Sequence, residues 1–264
     1  MPPQIPQPTL YLPNEVKPAY QLRWTLALFG RQPLPLDSLF SGQLAELLEP
    51  DGIRVLNWTT TAENVALFFL STRPSVVPVS IVQRVKGRWQ HLIHGGREKV
   101  FRRNFSLESV GDPSRLSIEG YLDRQLDRHE VFEPETRRLF ERFQVREPRV
   151  NLASWRYVAH GRYRLNLHLT LVHWRRRQIL DEPTLQKLFD AVMRALRGLE
   201  CQASRVAMLP DHEHLTVRLK ETCAPETLAL SVMNEVARSL GRGIYGDGYY
   251  SGTFGEWSDW ASVM

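Results

Sequence analysis

Tyr20-Gln-Leu-Arg-Trp-Thr-Leu-Ala-Leu-Phe29 alternates apolar and polar positions, and Tyr163-Arg-Leu-Asn-Leu-His-Leu-Thr-Leu-Val172 repeats the pattern 143 residues later. Period-two alternation is the mark of a β-strand. The segments after the two stretches also match. A helical stretch comes first, over 36–48 with Leu39, Phe40, Leu44, Leu47 and Leu48 apolar, and over 182–199 with Leu185, Leu188, Phe189, Val192, Leu196 and Leu199 on one face. A strand pair is next, 52–58 with 64–70 and 203–209 with 212–219. A second helix spans 79–91 in one series and 226–240 in the other. Each series closes on an aromatic-rich segment ending in glycine, Asn104 to Gly111 and Tyr249 to Gly255.

The shared order predicts an α+β chain of two tandem ferredoxin-like β-α-β-β-α-β domains. Two unrelated α+β domains with the same coarse pattern are the alternative. The expected limits are a Pro-rich arm over 1–18, a first domain over 19–127, a linker with a short helix over 128–149 and a second domain over 150–264. Across 264 residues, 42% hydrophobic and 24% charged is globular composition, which excludes disordered, collagen-like and mucin-like chains. Apolar runs such as Val65 to Leu70 fall far short of the ~18 residues of a membrane span. The start is Pro-rich, without a charged segment leading an apolar one, so no signal peptide is read. Cys201 and Cys223 are too few for a disulfide framework or a four-cysteine zinc site. The expected compartment is the cytosol.

The net charge of +5 is mild, but the basic residues are clustered. Lys86 and Arg88, Arg97 to Lys99, Arg102 and Arg103, and Arg175, Arg176 and Arg177 have Trp89, Phe101, Phe105 and Trp174 beside them. Basic residues follow phosphates and aromatics stack on bases, whereas a solvated arginine-rich surface is the plainer reading. In Met208-Leu-Pro-Asp-His212-Glu-His214-Leu-Thr-Val, His212 and His214 project from one side of a strand and can chelate an ion, which needs a third ligand. In Ile118-Glu-Gly-Tyr121-Leu-Asp-Arg-Gln125, a phenol and an amide fall at i and i+4 of a helix and share a face. A satisfied histidine pair and a packed tyrosine are the plain alternatives.

Taken in order, these segments resemble the single-tyrosine HUH transposases, the TnpA-type insertion-sequence enzymes and their REP-associated relatives. The resemblance rests on Pro210-Asp-His-x-His214 before an apolar strand and on Tyr121-x-x-x-Gln125 after an aromatic segment ending in Gly111. Members of that family share active sites between two subunits, histidines from one and the tyrosine helix from the other. Here the position of the first-half histidine pair reads Glu63-Asn64-Val65-Ala66, so Asn64 and Ala66 are expected where ligands would be. The second-half counterpart of Tyr121 falls one position past Met264. The resemblance therefore implies a fused, complementary pseudo-dimer with one composite site.

In that site the resemblance makes Tyr121 the nucleophile and His212, His214 and Gln125 the ligands of Mg²⁺ or Mn²⁺. The implied reaction is nicking of single-stranded DNA, hairpin-bearing in the relatives, through a 5′-phosphotyrosine, with strand transfer as the reverse step. Lys86, Arg88, Arg102, Arg103, Arg175, Arg176 and Arg177 are the expected DNA contacts. Glu213, on the far face of its strand, needs solvent or a cation such as Arg238. Asp211 is expected either to orient a histidine or to serve the turn. One chain is expected to act alone as a pseudo-dimer, with pairing of two chains left open. A catalytically silent hairpin-binding protein and a histidine-dependent hydrolase of another class are the competing readings.

Overall fold

Leu22 and Leu165 interrupt the two alternating stretches, so that each one serves two sheets. The computed structural model describes residues 11–32, 34, 38–61, 64–94, 99–128 and 133–255. The expectations for residues 1–10, Glu63, Arg97 with Glu98, and 256–264 lie outside these. In chain order the first elements are β1 (Ala19–Gln21), β2 (Arg23–Gly30), α1 (Ser38–Leu48), β3 (Ile53–Thr60), β4 (Val65–Thr72), α2 (Pro78–His94) and β5 (Phe101–Val110). Then come α3 (Arg115–Asp123), α4 (Gln125–Arg128), α5 (Pro134–Glu141), β6 (Gln144–Arg146), β7 (Arg156–Val158) and β8 (Gly161–Arg164). The last are β9 (Asn166–His173), α6 (Glu182–Gly198), β10 (Gln202–Met208), β11 (His212–Arg218), α7 (Pro225–Leu240) and β12 (Tyr245–Thr253).

The strands form two six-stranded sheets, β3-β4-β2-β5-β8-β7 and β1-β12-β9-β11-β10-β6. Numbering the four long strands of each half in chain order, both sheets read 2-3-1-4. The short strands cross over. β1 pairs in parallel with β12 of the second sheet, and β8 pairs in parallel with β5 of the first. Residues 156–164, expected in the second domain, thus complete the first sheet, and residues 19–21 complete the second. Residues 134–146, expected as a linker, are structural as well. Phe140 and Phe143 are buried, and β6 extends the second sheet along β10.

One face of each sheet is covered by helices. Trp24, Leu26, Leu28, Phe68 and Leu70 bury against Leu44 and Leu48 of α1 and Ile81, Val85 and Trp89 of α2. Leu167, Leu169, Leu171, Leu215 and Val217 do the same with Leu185, Leu188 and Val192 of α6 and Leu228, Val232 and Val236 of α7. Each such side chain contributes roughly 1.5–3 kcal/mol when fully buried. Local signals set the helix ends. Asp181 caps α6 by accepting from the Thr184 N–H at 3.0 Å, and Gly241 ends α7 with φ of 69°. Among the described residues, no helix is long and apolar enough to cross a membrane.

The halves meet at a seam built twice over. The Arg23 N–H donates to Thr253 Oγ1 at 2.7 Å, and the Asn166 N–H donates to Ser109 Oγ at 2.8 Å. Thr253 Oγ1 in turn donates to the Val110 carbonyl at 2.7 Å, and Ser109 Oγ to the Phe254 carbonyl at 3.0 Å. The residues of the two sets stand 143 or 144 positions apart. Tyr11, from the expected arm, docks on the second half. Its N–H donates to Asn234 Oδ1 at 2.6 Å, and its hydroxyl accepts from the Tyr245 N–H at 2.8 Å.

Candidate active site

On the face of the second sheet away from α6 and α7, β11 runs antiparallel to β9 with His212 opposite Val172 and His214 opposite Thr170. The alternation of the strand sends both histidines to this face and Glu213 to the other. The imidazoles of His212 and His214 stand edge to face with centroids 4.8 Å apart. His212 Nδ1 lies 2.6 Å from Asp211 Oδ1, and Asp211 Oδ2 lies 3.0 Å from Arg176 Nη1. Partial burial pushes the Asp211 carboxyl up, but hydrogen bonds from His212 and Arg176 outweigh it and hold the group below the ordinary carboxylate range. Both expectations for Asp211 find a contact, its side chain on His212 and its carbonyl accepting from the His173 N–H at 2.9 Å.

α3 comes from the first half and lands on this face. Its start is capped by Ser114, whose Oγ accepts from the Ser117 N–H at 3.2 Å. Ile118 and Leu122 pack with Ala207, Leu152 and Phe254 in a small core of their own. Arg205 Nε binds Asp123 at 2.9 Å, and Arg146 Nε reaches the same carboxylate at 3.0 Å. The docking brings the Tyr121 ring edge-on to His214, with centroids 5.6 Å apart. Residues 93 positions apart in the chain, one from each half, therefore meet.

Gln125 departs from expectation. It does not continue the helix of Tyr121, because α3 ends at Asp123 and Arg124, with φ of −104° and ψ of 9°, separates it from α4. The buried Gln125 side chain donates from Nε2 to the Tyr121 carbonyl at 3.3 Å, an oxygen that also accepts from the Arg124 N–H at 3.3 Å. Among the described residues, no set of three His, Cys, Asp or Glu side chains is arranged to hold a metal.

A third histidine went unnoticed in the sequence. His168 Nε2 lies 3.1 Å from His214 Nδ1, the two rings stack at 5.2 Å, and Thr170 Oγ1 is 3.0 Å from the same nitrogen. Burial pushes the His168 imidazole down to about 4, so it is neutral at pH 7. The signal was present in the alternation of Tyr163 to Val172, which puts His168 and Thr170 on one face of β9. Linking them to His214 required the β9–β11 register.

The same register corrects the first half. The seam makes Arg23 the counterpart of Asn166. Counting along β2 and β4, Val65 and Leu67 then occupy the places of His212 and His214, and Ala66 that of Glu213. Asn64 instead sits in the turn with φ of 61°, its carbonyl accepting from the Gly30 N–H at 2.8 Å. Asn64 and Ala66 are therefore not the replacements, although the true ones are equally unable to bind a metal. Glu213 is also partnered differently from expectation. It pairs with His173 at 2.7 Å, both side chains being buried, while Arg238 pairs with Glu235.

The basic clusters differ in character. Arg175, Arg176 and Arg177 are exposed at the end of β9, and the Arg176–Asp211–His212 chain ties them to the histidines. Lys86 is half-buried against β5, donating to the Arg102 and Arg103 carbonyls, and burial followed by the charge of Arg31 lowers its pKa. Arg88 pairs with Asp51 at 3.5 Å, and Arg102 and Arg103 are exposed. Trp89 and Phe101 belong to the core and Phe105 packs on Tyr163, so of the four aromatics beside these clusters only Trp174 is openly exposed.

Comparison with known proteins finds a match within the second half. Residues 161–260 match the family model described as Transposase IS200 like. No curated protein matches the chain. Among solved structures, the REP-associated tyrosine transposase bound to a REP hairpin aligns at 18% identity over 38% of this chain, with a TM-score of 0.32. That alignment spans 61% of the other chain. An unknown protein from Galdieria sulphuraria aligns at 9% identity over 84% of this chain and 92% of its own, with a TM-score of 0.21. A bacterial light-regulated adenylyl cyclase aligns at 8% over 81% and 65%, with a TM-score of 0.23. Likenesses this weak identify no activity.

Proposed function

We propose, from the match of residues 161–260 to the model of the IS200-like transposases, that the chain nicks single-stranded DNA at one composite active site. The observation that carries this reading is the meeting of Tyr121 with His214 across the two halves, 5.6 Å between ring centroids. We take the halves as a fused pseudo-dimer of ferredoxin-like units. The common strand order, the exchanged strands β1 and β8, and the doubled seam support that view. The first half offers Val65 and Leu67 where the second has histidines, so this face of the first sheet has no counterpart of the pair.

Tyr121 is the nucleophile in this reading. Its hydroxyl oxygen attacks phosphorus in line, the bond to the 3′ oxygen breaks, and the strand leaves with a free 3′-hydroxyl while the 5′-phosphate stays on the tyrosine. The same bond energy allows a 3′-hydroxyl to rejoin the held end. His212 and His214 suit a divalent cation, because two convergent imidazoles with a carboxylate behind one of them make a recognised ligand arrangement. Gln125 is the candidate neutral third donor. Bound there, Mg²⁺ or Mn²⁺ would polarise the scissile phosphate and ease loss of the phenolic proton. Asp211 orients His212, and Arg175, Arg176 and Arg177 supply charge for phosphates beside the site. Hairpin DNA is the substrate form that the family resemblance suggests.

The test is a denaturation-resistant protein–DNA adduct. The full chain is incubated with Mg²⁺ or Mn²⁺ and a pool of labelled single-stranded hairpins. An adduct should form and should disappear in both Tyr121→Phe and His212→Ala. Tight hairpin binding without any adduct would overturn nicking and leave a silent DNA-binding protein.

A further inference from the structure

A cleft of about 160 Å³ opens at the end of β9, on the helix side of the second sheet. The nicking chemistry makes no use of it. Its floor is made by the buried Ile179 and Ile244 together with the buried His173, which is paired with Glu213. Trp174, Arg177 and Arg242 form its walls. Trp174 is 55% exposed, which is unusual for an indole with a core close at hand. The volume is well under the roughly 300 Å³ of a drug-sized site, so it suits one flat ring system and not a whole nucleotide.

The cleft is joined to the candidate active site by a short piece of chain. Trp174 begins the turn that holds Arg175 and Arg176, whose φ values of 53° and 52° lie in the left-handed region. Non-glycine residues held there cost on the order of 1 kcal/mol or more each. The turn sets the Arg175 guanidinium over the Trp174 ring at 5.4 Å and directs Arg176 to Asp211, the partner of His212. A strand whose phosphate lies at His212 and His214 has this turn as its neighbour.

We propose that the cleft receives one unpaired nucleobase of the DNA strand held at the histidine pair. This rests on the nicking reading for the location of the strand. An aromatic wall stacks on any base, Ile179 and Ile244 take the ring, and guanidinium donors meet the oxygen and nitrogen acceptors of the base edge. The sugar and phosphate stay outside, against Arg175 and Arg176.

The experiment compares binding of the full chain to single-stranded oligothymidylate and to an abasic oligomer of equal length, without metal. The wild type should prefer the base-bearing strand. Trp174→Ala should cut that preference by about tenfold, in line with losses at base–aromatic stacks, while affinity for the abasic strand holds within about twofold. Trp174→Phe should restore most of it, and Arg242→Ala should reduce it. Equal losses for both strands, or none, would overturn the cleft as a base site. An adduct that forms alongside an unchanged preference in Trp174→Ala sinks the cleft alone. The expected preference without any adduct sinks nicking alone, and failure to bind either strand sinks both.

Discussion

Glu213 stands between the two histidines in sequence and turns its back on them. A carboxylate on the core face of a strand is costly unless paired, and His173 pairs it at 2.7 Å with both side chains 1% exposed. The pair fixes β11 against β9 at the level of His212. Burial alone would lower the His173 pKa, but the charge and hydrogen bond of Glu213 and the Arg177 carbonyl raise it above its ordinary value. A histidine with a raised folded pKa stabilises fully below its unfolded value, about 6.5, and that contribution is lost as pH rises through the folded value. In Glu213→Gln the burial is opposed only by the Arg177 carbonyl and the more distant Asp211 charge, so the contribution should shrink and stability should fall less with rising pH in the same window. Urea midpoints of the two proteins, taken as a difference across that range, check this, and parallel profiles would refute it. Glu213→Ala, which strands a buried imidazolium, should cost about 3–5 kcal/mol in the same denaturation experiment below pH 6.5.

At the scale of elements, the candidate site depends on where α3 is placed, and α3 is held by few groups. Ile118 and Leu122 supply the apolar contact, and Arg205 reaches both Asp123 at 2.9 Å and Glu119 at 3.9 Å. Arg205→Ala leaves Asp123 with Arg146 and Glu119 with Arg115, so the global loss should be only about 1–2 kcal/mol. Adduct formation should fall by tenfold or more, because a nucleophile displaced by an ångström is severely slowed. A urea melt and an adduct time course on the same preparation separate the two effects, and unchanged adduct kinetics would show that Arg205 does not position the helix. Features that depend on local periodicity were legible in the sequence, among them the helices and long strands, as Leu185 to Leu199 and His212 to Leu219 illustrate. The breaks at Leu22 and Leu165 were not, because the alternation runs on unchanged while the strand changes sheets. The one-residue error that chose Asn64 and Ala66 over Val65 and Leu67 came from a turn at Asn64, which only cross-strand register reveals. His168 was missed for the same reason, since its neighbour His214 lies on a different strand.

The whole molecule is held together by backbone that passes between the halves at close range. Gly111 ends the first series and Gly255 the second, and each packs on the other's strand end. A Cβ on Gly111 would collide with the Thr253 carbonyl oxygen, and one on Gly255 with the Ser109 carbonyl oxygen. Those oxygens belong to strands already bonded into both sheets, so no side-chain rotation relieves the overlap. Gly120, in the middle of α3, has open space where its Cβ would be. The same substitution should therefore act in opposite directions. Gly111→Ala should destabilise by about 1–3 kcal/mol through overpacking, whereas Gly120→Ala should stabilise by about 0.5–1 kcal/mol through helix propensity. Because β1 and β8 bind each sheet to the other half, the loss at Gly111 should appear in one cooperative transition that moves as a unit. Urea unfolding followed by tryptophan fluorescence covers both halves, with Trp24 and Trp89 in the first and Trp174 in the second. A biphasic melt in Gly111→Ala, with the second half unaffected, would show that the seam joins two independently folding units.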